Sequence, residues 1–485
     1  MVIMCLASFL YDAVNNKFKR MNKWSFLVLC TGICSCQQLE AQPNVLIILV
    51  DDAGYTSFGF NGAKVITPYI DSLASQGVIC TDAHTMGSVS APSRAMLMTG
   101  RYGQRFGFEC NLDIDGAGLP KEEETLGDIF KRNGYATAAI GKWHLGYTTD
   151  MHPNKQGFEY FFGFLAGSRS YYYRPNADDK DGNLQQMQCN GKAIKFDGYL
   201  TDVLTDNALS YIESTGDKPF MMYLAYNAIH TPLEAPKEDL QKFQGNPRQY
   251  ILAMTSVLDR NIGKLINGLQ RSGKLDNTLI FFLADNGGAI NNLESNLPFK
   301  GFKGNKFEGG HRVPFFVVWG NKLQKNIRYD GLVSSLDIMA TAIDAAKIPI
   351  RSLKNEIDGQ NLIPYLNGKK KGSPHKFLFW RKMNDSAVRT PEYKLITVEG
   401  YGSVLYNLKT DPGEKYDIKN KEPKVFKKLV SEWEKWNSEM IGRKWDDGGL
   451  WPQVTDTITI DLMNNLSNEE LILYPGAKRV VKQKN

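Results

Sequence analysis

Residues 44–52 read NVLIILVDD, and this stretch decides the fold. Residues 44–50 are almost continuously apolar, which is typical of a β-strand covered on both faces. Asp51 and Asp52 follow directly, so the strand ends in adjacent carboxylates. Strands buried on both faces belong to sheets with helices on either side. The stretch therefore predicts an α/β sheet with polar chemistry at the carboxyl end of its first strand.

Further apolar runs share this feature, because each ends in polar residues. Amphipathic helical patterns at residues 67–76, 125–133 and 247–271 alternate with them, which predicts a parallel or mixed sheet. In such sheets ligands bind outside the carboxyl ends of the strands, so we expect the polar groups to converge on one site. The runs and their polar ends are residues 135–140 before Gly141 to His144, residues 220–226 before Asn227 and His230, and residues 279–284 before Asp285 and Asn286.

The domain organisation changes after about residue 375. We predict a leader over residues 1–42, a catalytic α/β domain over 43–375, a C-terminal subdomain over 376–450 and a polar tail over 451–485. The subdomain is expected to be a small antiparallel sheet with a packed helix over residues 426–440. Its short strand candidates are residues 377–381, 387–389, 393–398 and 404–407.

Composition and the N-terminal sequence restrict the possible classes of protein. The chain has 485 residues, 42% of them hydrophobic, and a net charge of +6 without a dense basic run. This predicts a large globular core and no nucleic-acid partner. Basic residues precede an apolar run over 24–36 that is too short for a membrane span. We therefore expect an exported, periplasmic protein without an integral membrane segment, whose true start could be Met21.

Two processing schemes for the leader stay open. The segment Ile33-Cys34-Ser35-Cys36 loosely resembles a bacterial lipoprotein box, which would place a lipid anchor on Cys36 and hold the protein at the outer membrane. Alternatively, cleavage falls near Ala41. Outside the leader, the chain has Cys80, Cys110 and Cys189, which are too few for a disulfide framework and predict buried free thiols, with one disulfide pair as the alternative.

The carboxylates at the strand ends suggest a metal site. Asp51 and Asp52 repel each other unless a cation is present, and Asp285 with Asn286 adds further oxygen ligands. Such an all-oxygen set suits a hard divalent cation, Ca²⁺ or Mg²⁺. Taken singly, each pair is also a common turn sequence. Their matching positions at strand ends favour the metal.

Residues 90–101 read SAPSRAMLMTGR and form the most specific segment. Pro92 favours the first turn of a helix, with Ser90 just before it. Free backbone N–H groups at such a helix start attract anions, and Arg94 adds a charge suited to a tetrahedral oxyanion. A plain Ser-capped helix with a surface arginine explains the segment equally well when it is taken alone.

This segment resembles the sulfatase signature, in which Cys or Ser is followed by any residue, then Pro-Ser-Arg, four residues and Thr-Gly. It matches at every fixed position, with Ser90 in the place of the nucleophile. The resemblance spans roughly residues 43–435, and its other landmarks stand in family order. They are Asp51-Asp52, residues 141–146, residues 230–232, residues 285–287, Lys303, residues 308–314, residues 405–408 and residues 411–414.

The resemblance implies an alkaline-phosphatase-like fold and a formylglycine nucleophile, made by oxidising the side chain at position 90. It also implies one Ca²⁺ per site, and the ligands carried over by motif are Asp51, Asp52, Asp285, Asn286 and the modified residue 90. The chain would then be a sulfuric ester hydrolase that cleaves the S–O bond.

The resemblance assigns the remaining motif residues to catalysis. Arg94 and Lys142 would hold the nucleophile and the sulfate oxygens. His144 would take a proton from the hydrated aldehyde. His230 and Lys303 would bind sulfate and help to protonate the leaving alcohol. A plain serine would be left as a stable sulfate ester, so the modification makes turnover possible.

Two departures from the commoner family pattern bear on function. Ser90 replaces the usual Cys, which is compatible with an anaerobic radical sulfatase-maturating enzyme as partner, or with an inactivating substitution. Lys300 stands where relatives often have Arg. Two rival functions therefore stay open: a phosphodiesterase or phosphonate monoester hydrolase of the same superfamily, and a catalytically inactive glycan-binding protein. Asn286, rather than a His after Asp285, argues against a two-metal phosphatase site.

The loop at residues 167–174, with its Arg and Tyr side chains, suits contact with a sugar ring. Arg169, Arg174 and His311 are candidates for binding substrate, although packing within the loops explains them equally well. An export signal and a Ser-type motif together suggest a sulfated carbohydrate from host or algal glycans. We expect a sulfated hexose or hexosamine, with a preference for galactose-type sugars.

Overall fold

A computed structural model describes residues 41–112, 116–449 and 451–466. The described residues from Gln42 onward form one compact unit. The strands are β1 Asn44–Val50, β2 Val78–Cys80, β3 Ala83–His84, β4 Ala136–Lys142, β5 Tyr160–Phe164, β6 Gln188–Cys189, β7 Lys192–Ala193, β8 Phe220–Ala225, β9 Thr278–Ala284, β10 Phe315–Val318, β11 Ile327–Tyr329, β12 Val333–Ser334, β13 Leu378–Lys382, β14 Asp385–Arg389, β15 Tyr393–Val398 and β16 Gly402–Asn407. The helices are α1 Pro68–Ser75, α2 Ser90–Thr99, α3 Leu126–Arg132, α4 Leu200–Ser214, α5 Lys237–Gln241, α6 Gln249–Arg271, α7 Glu308–His311, α8 Asp337–Ala345, α9 Ile363–Leu366, α10 Pro423–Ser438 and α11 Trp451–Met463.

A ten-stranded mixed sheet organises the fold, in the order β11-β2-β10-β9-β1-β8-β4-β5-β6-β7. At its centre β9, β1, β8 and β4 run parallel, so their carboxyl ends lie along one edge. The register places Ile47 of β1 between Tyr223 of β8 and Phe281 of β9. The central strand thus carries Asp51 and Asp52 to the middle of that edge.

Side chains of β1 alternate between two hydrophobic cores, as the two-residue period of a strand requires. Val45, Ile47 and Leu49 pack on the side that holds helix α2, while Leu46 and Ile48 pack on the side of α1, α4 and α6. All five are fully buried. Truncating such a side chain to Ala typically costs about 2–5 kcal/mol. The apolar run at residues 44–50 therefore joins two helical layers through one strand.

The C-terminal subdomain is a four-stranded antiparallel sheet in the order β13-β14-β15-β16. Helix α10 covers one face, where Leu429 packs with Val388, Leu395 and Leu405. The other face packs on the catalytic part of the chain, because Trp380 shares a core with Met86. The subdomain therefore supports the loops that carry the site.

The structure confirms the predicted fold class and most of the predicted elements. Observed bounds differ from the expected ones by up to three residues at the ends of the main strands and helices. Sequence analysis assigned no helix to the tail, but α11 occupies residues 451–463. Its Val454 and Leu462 lie eight residues apart along the helix and are buried, at 4% and 0% exposure. Val454, Ile458 and Leu462 are spaced four residues apart, as an apolar helical stripe requires, but sequence analysis treated the tail as polar throughout.

Two further expectations concern membranes and cysteines. Within the described ranges, no helix is long and apolar enough to cross a membrane. Cys80, Cys110 and Cys189 are free, and the first two are buried. The apolar run of the leader, Met21 and Cys36 lie outside the described residues, so the export signal and lipid anchor stay predictions.

Candidate active site

The edge formed by the parallel strands gathers polar residues that lie far apart in sequence. Asp51 and Asp52 follow β1, Asp285 and Asn286 follow β9, and Lys142 ends β4. All five are buried. The expectation that the strand ends converge is therefore confirmed for these residues. Polar groups withdrawn from water in this way need partners, and the contacts between them define the site.

Ser90 stands at the first position of helix α2. Its Oγ lies 3.5 Å from Asp51 Oδ1 and 3.4 Å from Asn286 Oδ1, and the side chain is buried. Asn286 is oriented by its own Nδ2, which donates to Asp52 Oδ1 at 2.8 Å. Three oxygens from three separate elements thus meet at the start of a helix, where backbone dipoles favour negative charge.

Three cations surround these oxygens. Arg94, one turn into α2, donates to Asp285 Oδ2 from Nε at 3.1 Å and from Nη2 at 2.8 Å. Lys142 Nζ lies 2.5 Å from Asp51 Oδ2 and 3.4 Å from Ser90 Oγ. Lys303 Nζ lies 2.7 Å from Asp52 Oδ1. Charge-assisted bonds of this kind are the strong ones, and here each carboxylate has its own cation.

The ionisation of the carboxylates follows from these pairings. Burial and the nearby Asp285 carboxylate raise the pKa of Asp51 despite Lys142. Burial also acts to raise the pKa of Asp52, but Lys303 and His230 outweigh it and lower the pKa overall. Burial opposes the ionised form of Asp285 as well, and Arg94 with Lys142 lowers its pKa. Of these three carboxylates, Asp51 is thus the one whose pKa is raised, with burial as the main cause.

His144 is buried beside cations that disfavour its protonated form. Burial, followed by the charges of Lys142 and Arg94, lowers its pKa well below the ordinary histidine value. Its backbone adopts a left-handed conformation, with φ of 54°, as does Asp52 with φ of 59°. Such conformations are costly for non-glycine residues and cluster at functional sites. Gly167 packs against the imidazole, because a Cβ there would lie 2.6 Å from His144 Nε2.

His230 lies beside Asp52. Its Nδ1 donates to the carbonyl oxygen of Thr231 at 2.6 Å, and its Nε2 lies 3.6 Å from Asp52 Oδ2. The hydroxyl of Tyr171 donates to the carbonyl oxygens of Asn227 and His230, at 2.6 and 2.9 Å. Burial is the main cause that lowers the pKa of His230. The imidazole is therefore fixed, with Nε2 facing the carboxylates.

The donors fit a hard divalent cation. Asp51, Asp52 and His230 offer ligand atoms within 4.8 Å of one another, and the amide oxygen of Asn286 adds a neutral ligand. Lys142 and Lys303 hold their ammonium groups against Asp51 and Asp52, where positive charge is needed. Carboxylate and amide oxygens at a buried, negatively charged position are the set that Ca²⁺ prefers. The ligands expected from sequence thus suit calcium chemically.

The residues expected to bind substrate are held by other protein groups. Arg169 is 1% exposed and donates to both oxygens of Asp179, at 3.0 and 2.8 Å. Arg174 lies at the surface and is paired with Glu234. The Arg and Tyr composition of the loop suggested a sugar contact, but these contacts show that Arg169 holds the loop itself together. A direct contact of Arg169 with substrate has no support in this geometry.

His311 is fully buried below the subdomain. Its Nδ1 lies 2.9 Å from His84 Nδ1, and its ring stacks on Trp380 with centroids 4.1 Å apart. With His84 and Glu308 it forms a group of metal-ligand type. However, Lys394 Nζ lies 3.0 Å from both Glu308 Oε1 and His311 Nε2. These two ligand atoms therefore already contact an ammonium group. The contacts of His311 among the described residues are therefore packing and hydrogen-bond contacts within the protein, and a role in binding substrate stays a prediction.

Lys300, the second departure from the family pattern, also points away from the site. Its Nζ donates to the carbonyl oxygen of Glu414 and to Asn465 Oδ1, each at 2.9 Å. It therefore ties the site loop to the C-terminal part of the chain.

A depression of about 450 Å³ opens above the two histidines, and sequence analysis missed most of its lining. Gly167 and Ser168 belong to the loop at residues 167–174 that was expected to contact a sugar, and Tyr147 directly follows the landmark at residues 141–146, but the other loop residues of the lining match no motif. The lining residues are Asn111, Leu112, His144, Tyr147, Ala166, Gly167, Ser168, Asn183, Leu184, Gln185 and His230.

Comparison with known proteins defines the class. The sulfatase family model matches residues 43–348, and the model of the C-terminal region of N-sulphoglucosamine sulphohydrolase matches residues 302–439. The chain therefore belongs to the sulfatase family and is a sulfuric ester hydrolase.

Individual relatives agree. The chain is 35% identical over 400 residues to the uncharacterized sulfatase YdeN of Escherichia coli strain K12, covering 70% of this chain and 69% of that protein. It is 30% identical over 383 residues to N-acetylgalactosamine-6-sulfatase of Mus musculus, covering 73% and 71%. Among solved structures, Ps i-CgsB in complex with k-i-k-neocarrahexaose is similar at 33% identity and a TM-score of 0.79, covering 89% of this chain and 99% of that one.

Proposed function

We propose that this chain is an exported sulfatase that hydrolyses sulfate esters of carbohydrate by S–O cleavage, through a formylglycine derived from Ser90. One observation carries the proposal. Ser90 Oγ lies within 3.5 Å of Asp51 Oδ1, Asn286 Oδ1 and Lys142 Nζ, at the start of a buried helix. A nucleophile, metal-type ligands and a cation for a sulfate oxygen therefore share one point.

The carbohydrate part of the proposal draws on the relatives. One acts, by its name, on N-acetylgalactosamine 6-sulfate, and another was solved with a neocarrahexaose. A sulfated hexose or hexosamine, galactose-type in particular, is the substrate class we assign to this chain. The depression above the histidines, at about 450 Å³, has room for a sugar ring.

Asp51, Asp52, Asp285, Asn286 and residue 90 would hold one Ca²⁺, which as a Lewis acid polarises sulfate oxygens and favours ionised oxygen ligands. Arg94 and Lys142 keep positive charge beside residue 90, where the equatorial oxygens of the sulfate gain negative charge. Lys303 places a further ammonium group beside Asp52, at 2.7 Å. These groups are fixed before substrate arrives, so little reorganisation is needed.

The two histidines divide the proton transfers. His144 is neutral at pH 7, because its pKa lies well below the ordinary value, so it can accept a proton from a hydroxyl at position 90. A hydrated aldehyde at that position supplies one hydroxyl for attack on sulfur and another whose deprotonation allows release of sulfate. His230, with Nε2 directed at the site, and Lys303 would bind the sulfate and help to protonate the departing alcohol.

Maturation and location complete the proposal. An anaerobic radical sulfatase-maturating enzyme would convert Ser90, and the leader would direct the chain to the periplasm. The leader would then be processed either by attachment of a lipid to Cys36 or by cleavage near Ala41. The catalytic domain over residues 43–375, the subdomain over 376–450 and the tail over 451–485 stay our proposed division.

A desulfation screen tests the proposal. Protein co-expressed with a radical maturase is incubated with defined sulfated mono- and disaccharides, and free sulfate is measured. We expect release from at least one sulfated hexose or hexosamine, and faster turnover of 4-nitrophenyl sulfate than of 4-nitrophenyl phosphate. Faster turnover of the phosphate would favour the phosphoesterase, and an unconverted Ser90 that binds glycan without turnover would favour the binding protein.

A further inference from the structure

The depression above His144 and His230 has a chemistry of its own. We call it the outer pocket, and it is defined by the residues other than these histidines that line it: Asn111, Leu112, Tyr147, Ala166, Gly167, Ser168, Asn183, Leu184 and Gln185. Because His144 and His230 also line this depression, we take it as the place where a sugar whose sulfate reaches residue 90 would rest. The outer pocket therefore bears on which sugar is accepted.

The lining of the outer pocket is electrically neutral over the described part of the chain. Its polar side chains there are amides and hydroxyls, and none is Lys, Arg, Asp or Glu. The cations of this region, Arg94, Lys142 and Lys303, all lie within the sulfate-binding cluster, each against a carboxylate. Among the described residues, positive charge is thus supplied by the sulfate-binding cluster and not by the lining of the outer pocket.

The two arginines of the neighbouring loop do not change this. Arg169 is committed to Asp179 and also donates to the carbonyl oxygens of Ser170 and Gln185, at 3.0 and 2.8 Å. Arg174 is paired with Glu234, whose other oxygen accepts from the backbone N–H of Tyr171 at 2.8 Å. Freeing Arg169 for substrate would leave the buried Asp179 carboxylate without its partner, whereas Arg174 lies at the surface and is not among the described residues that line the pocket.

The walls are held in place by internal hydrogen bonds. Gln185 Nε2 donates to the carbonyl oxygen of Ser168 at 3.0 Å, and the backbone N–H of Gln185 donates to Asn183 Oδ1 at 3.0 Å. Asn111 Oδ1 accepts from the backbone N–H of Ala91, next to residue 90, at 3.1 Å. Walls fixed in this way select by complementarity rather than by adapting to a charged substituent.

We infer that the sulfated ring accepted by this enzyme carries a single anionic group, the scissile sulfate, and is otherwise a neutral hexose or N-acetylated hexosamine. The inference rests on the proposed function. A second sulfate or a carboxylate on that ring would lose water against neutral walls without gaining a cation. Hydroxyl and acetamido groups, in contrast, find donors and acceptors in the amides and hydroxyls of the pocket.

Matched substrates test the inference. The best monosulfated sugar of the screen is compared with the same sugar bearing an additional sulfate on that ring, and N-acetylglucosamine 6-sulfate is compared with glucosamine 2-N,6-O-disulfate. We expect kcat/KM for the doubly charged member to be lower by about tenfold or more, mainly through KM. Equal or higher kcat/KM for the doubly charged member would overturn the inference.

Substitution of a residue in the wall of the outer pocket gives an independent test of the inference. Gln185→Lys places a cation in the outer pocket, and Gln185→Met is the uncharged control of similar length. We expect the ratio of kcat/KM for doubly to singly charged sugar to rise about tenfold or more in Gln185→Lys relative to Gln185→Met. The same ratio in both variants would contradict contact between this wall and the ring.

Turnover of 4-nitrophenyl sulfate separates this inference from the proposed function. If matured protein hydrolyses no sulfate ester, the proposed function fails. If it hydrolyses the aryl sulfate but prefers doubly charged sugars, or accepts no monosulfated neutral sugar, the function stands and the inference is wrong.

Discussion

Arg94 directs two nitrogens at one oxygen of Asp285, with Nε at 3.1 Å and Nη2 at 2.8 Å from Oδ2. Both side chains are fully buried. The remaining guanidinium nitrogen, Nη1, donates to the carbonyl oxygen of Lys142 and to the hydroxyl of Tyr223. Arg94 therefore fixes a predicted metal ligand and the end of strand β4 at once, beside the predicted nucleophile.

The first prediction concerns Arg94→Lys. A lysine ammonium cannot reproduce this planar set of donors, so we expect kcat/KM for aryl sulfate to fall about 100-fold or more. Unsatisfied buried groups would also lower the free energy of unfolding by about 1–3 kcal/mol, measured by urea denaturation. Arg132→Lys, at a surface pair with Glu124, is the control and should change neither quantity. Wild-type kcat/KM in Arg94→Lys would remove Arg94 from the machinery.

The second prediction concerns the proton acceptor. We expect His144→Ala to lower kcat by about 10²–10⁴-fold, because general-base catalysis is lost. In the wild type the lowered pKa keeps His144 neutral below the ordinary histidine value of 6.5, so kcat should hold nearly constant as the pH falls from about 7 to 6. His152→Gln, at a histidine hydrogen-bonded to Gln188, should leave kcat unchanged. A kcat that halves near pH 6.5 would contradict this assignment.

The third prediction concerns calcium. Because Asp51, Asp52 and Asp285 bring three carboxylates into one buried site, bound Ca²⁺ should stabilise the fold. At 100 times its Kd, Ca²⁺ should add about 2.7 kcal/mol to the free energy of unfolding. Scanning calorimetry with EDTA, Ca²⁺ and Mg²⁺ measures this. The variant Asp51→Asn/Asp285→Asn should lose the increment, and an undiminished response to Ca²⁺ would place the metal elsewhere.

The fourth prediction concerns stability against pH. Burial raises the pKa of Asp385 to about 6, despite Lys306 and a hydrogen bond from Thr459 Oγ. Its folded pKa exceeds its unfolded value, so the folded state binds more protons and stability falls as pH rises from about 4 through 6. About two pKa units correspond to at most about 3 kcal/mol. Asp385→Asn should flatten that slope, as measured by urea denaturation between pH 4 and 8.

Asp385→Ser is the paired variant, since it also lacks a titrating group but leaves the site underfilled. It should flatten the slope too, at a lower stability throughout. An unchanged slope in both variants would assign the pH dependence to other carboxyl groups.

The main features of the fold were predictable because strand burial leaves a plain signature. The strand at residues 44–50 packs against a hydrophobic core on each face. Its side chains are therefore almost all apolar, and the first carboxylates follow the strand, at residue 51. The parallel order of neighbouring strands then placed Lys142 and Asp285 beside them. The family signature around Ser90 supplied the roles that periodicity could not.

The outer parts of the site were not predictable in the same way. Arg169 and His311 looked available in sequence, but their partners, Asp179 and Lys394, are set by tertiary packing. The outer pocket draws mainly on loops without a motif, and the apolar residues of the helix at residues 451–463 alternate with Thr and Asp, which hides their helical spacing. Whether a charged side chain is available to bind substrate depends on which groups pack against it in the folded chain. The spacing of residues in the sequence does not reveal these partners.

The most direct test of the account is the rate of 4-nitrophenyl sulfate hydrolysis as a function of the converted fraction at position 90. Protein is produced with graded amounts of radical maturase and then digested. The mass of the peptide containing residue 90 is measured by mass spectrometry, because conversion lowers this mass by that of the hydrogens lost on oxidation. We predict a rate proportional to the converted fraction, passing through zero for unmodified Ser90 and for Ser90→Ala. Full activity without conversion, or no activity at full conversion, would contradict the account.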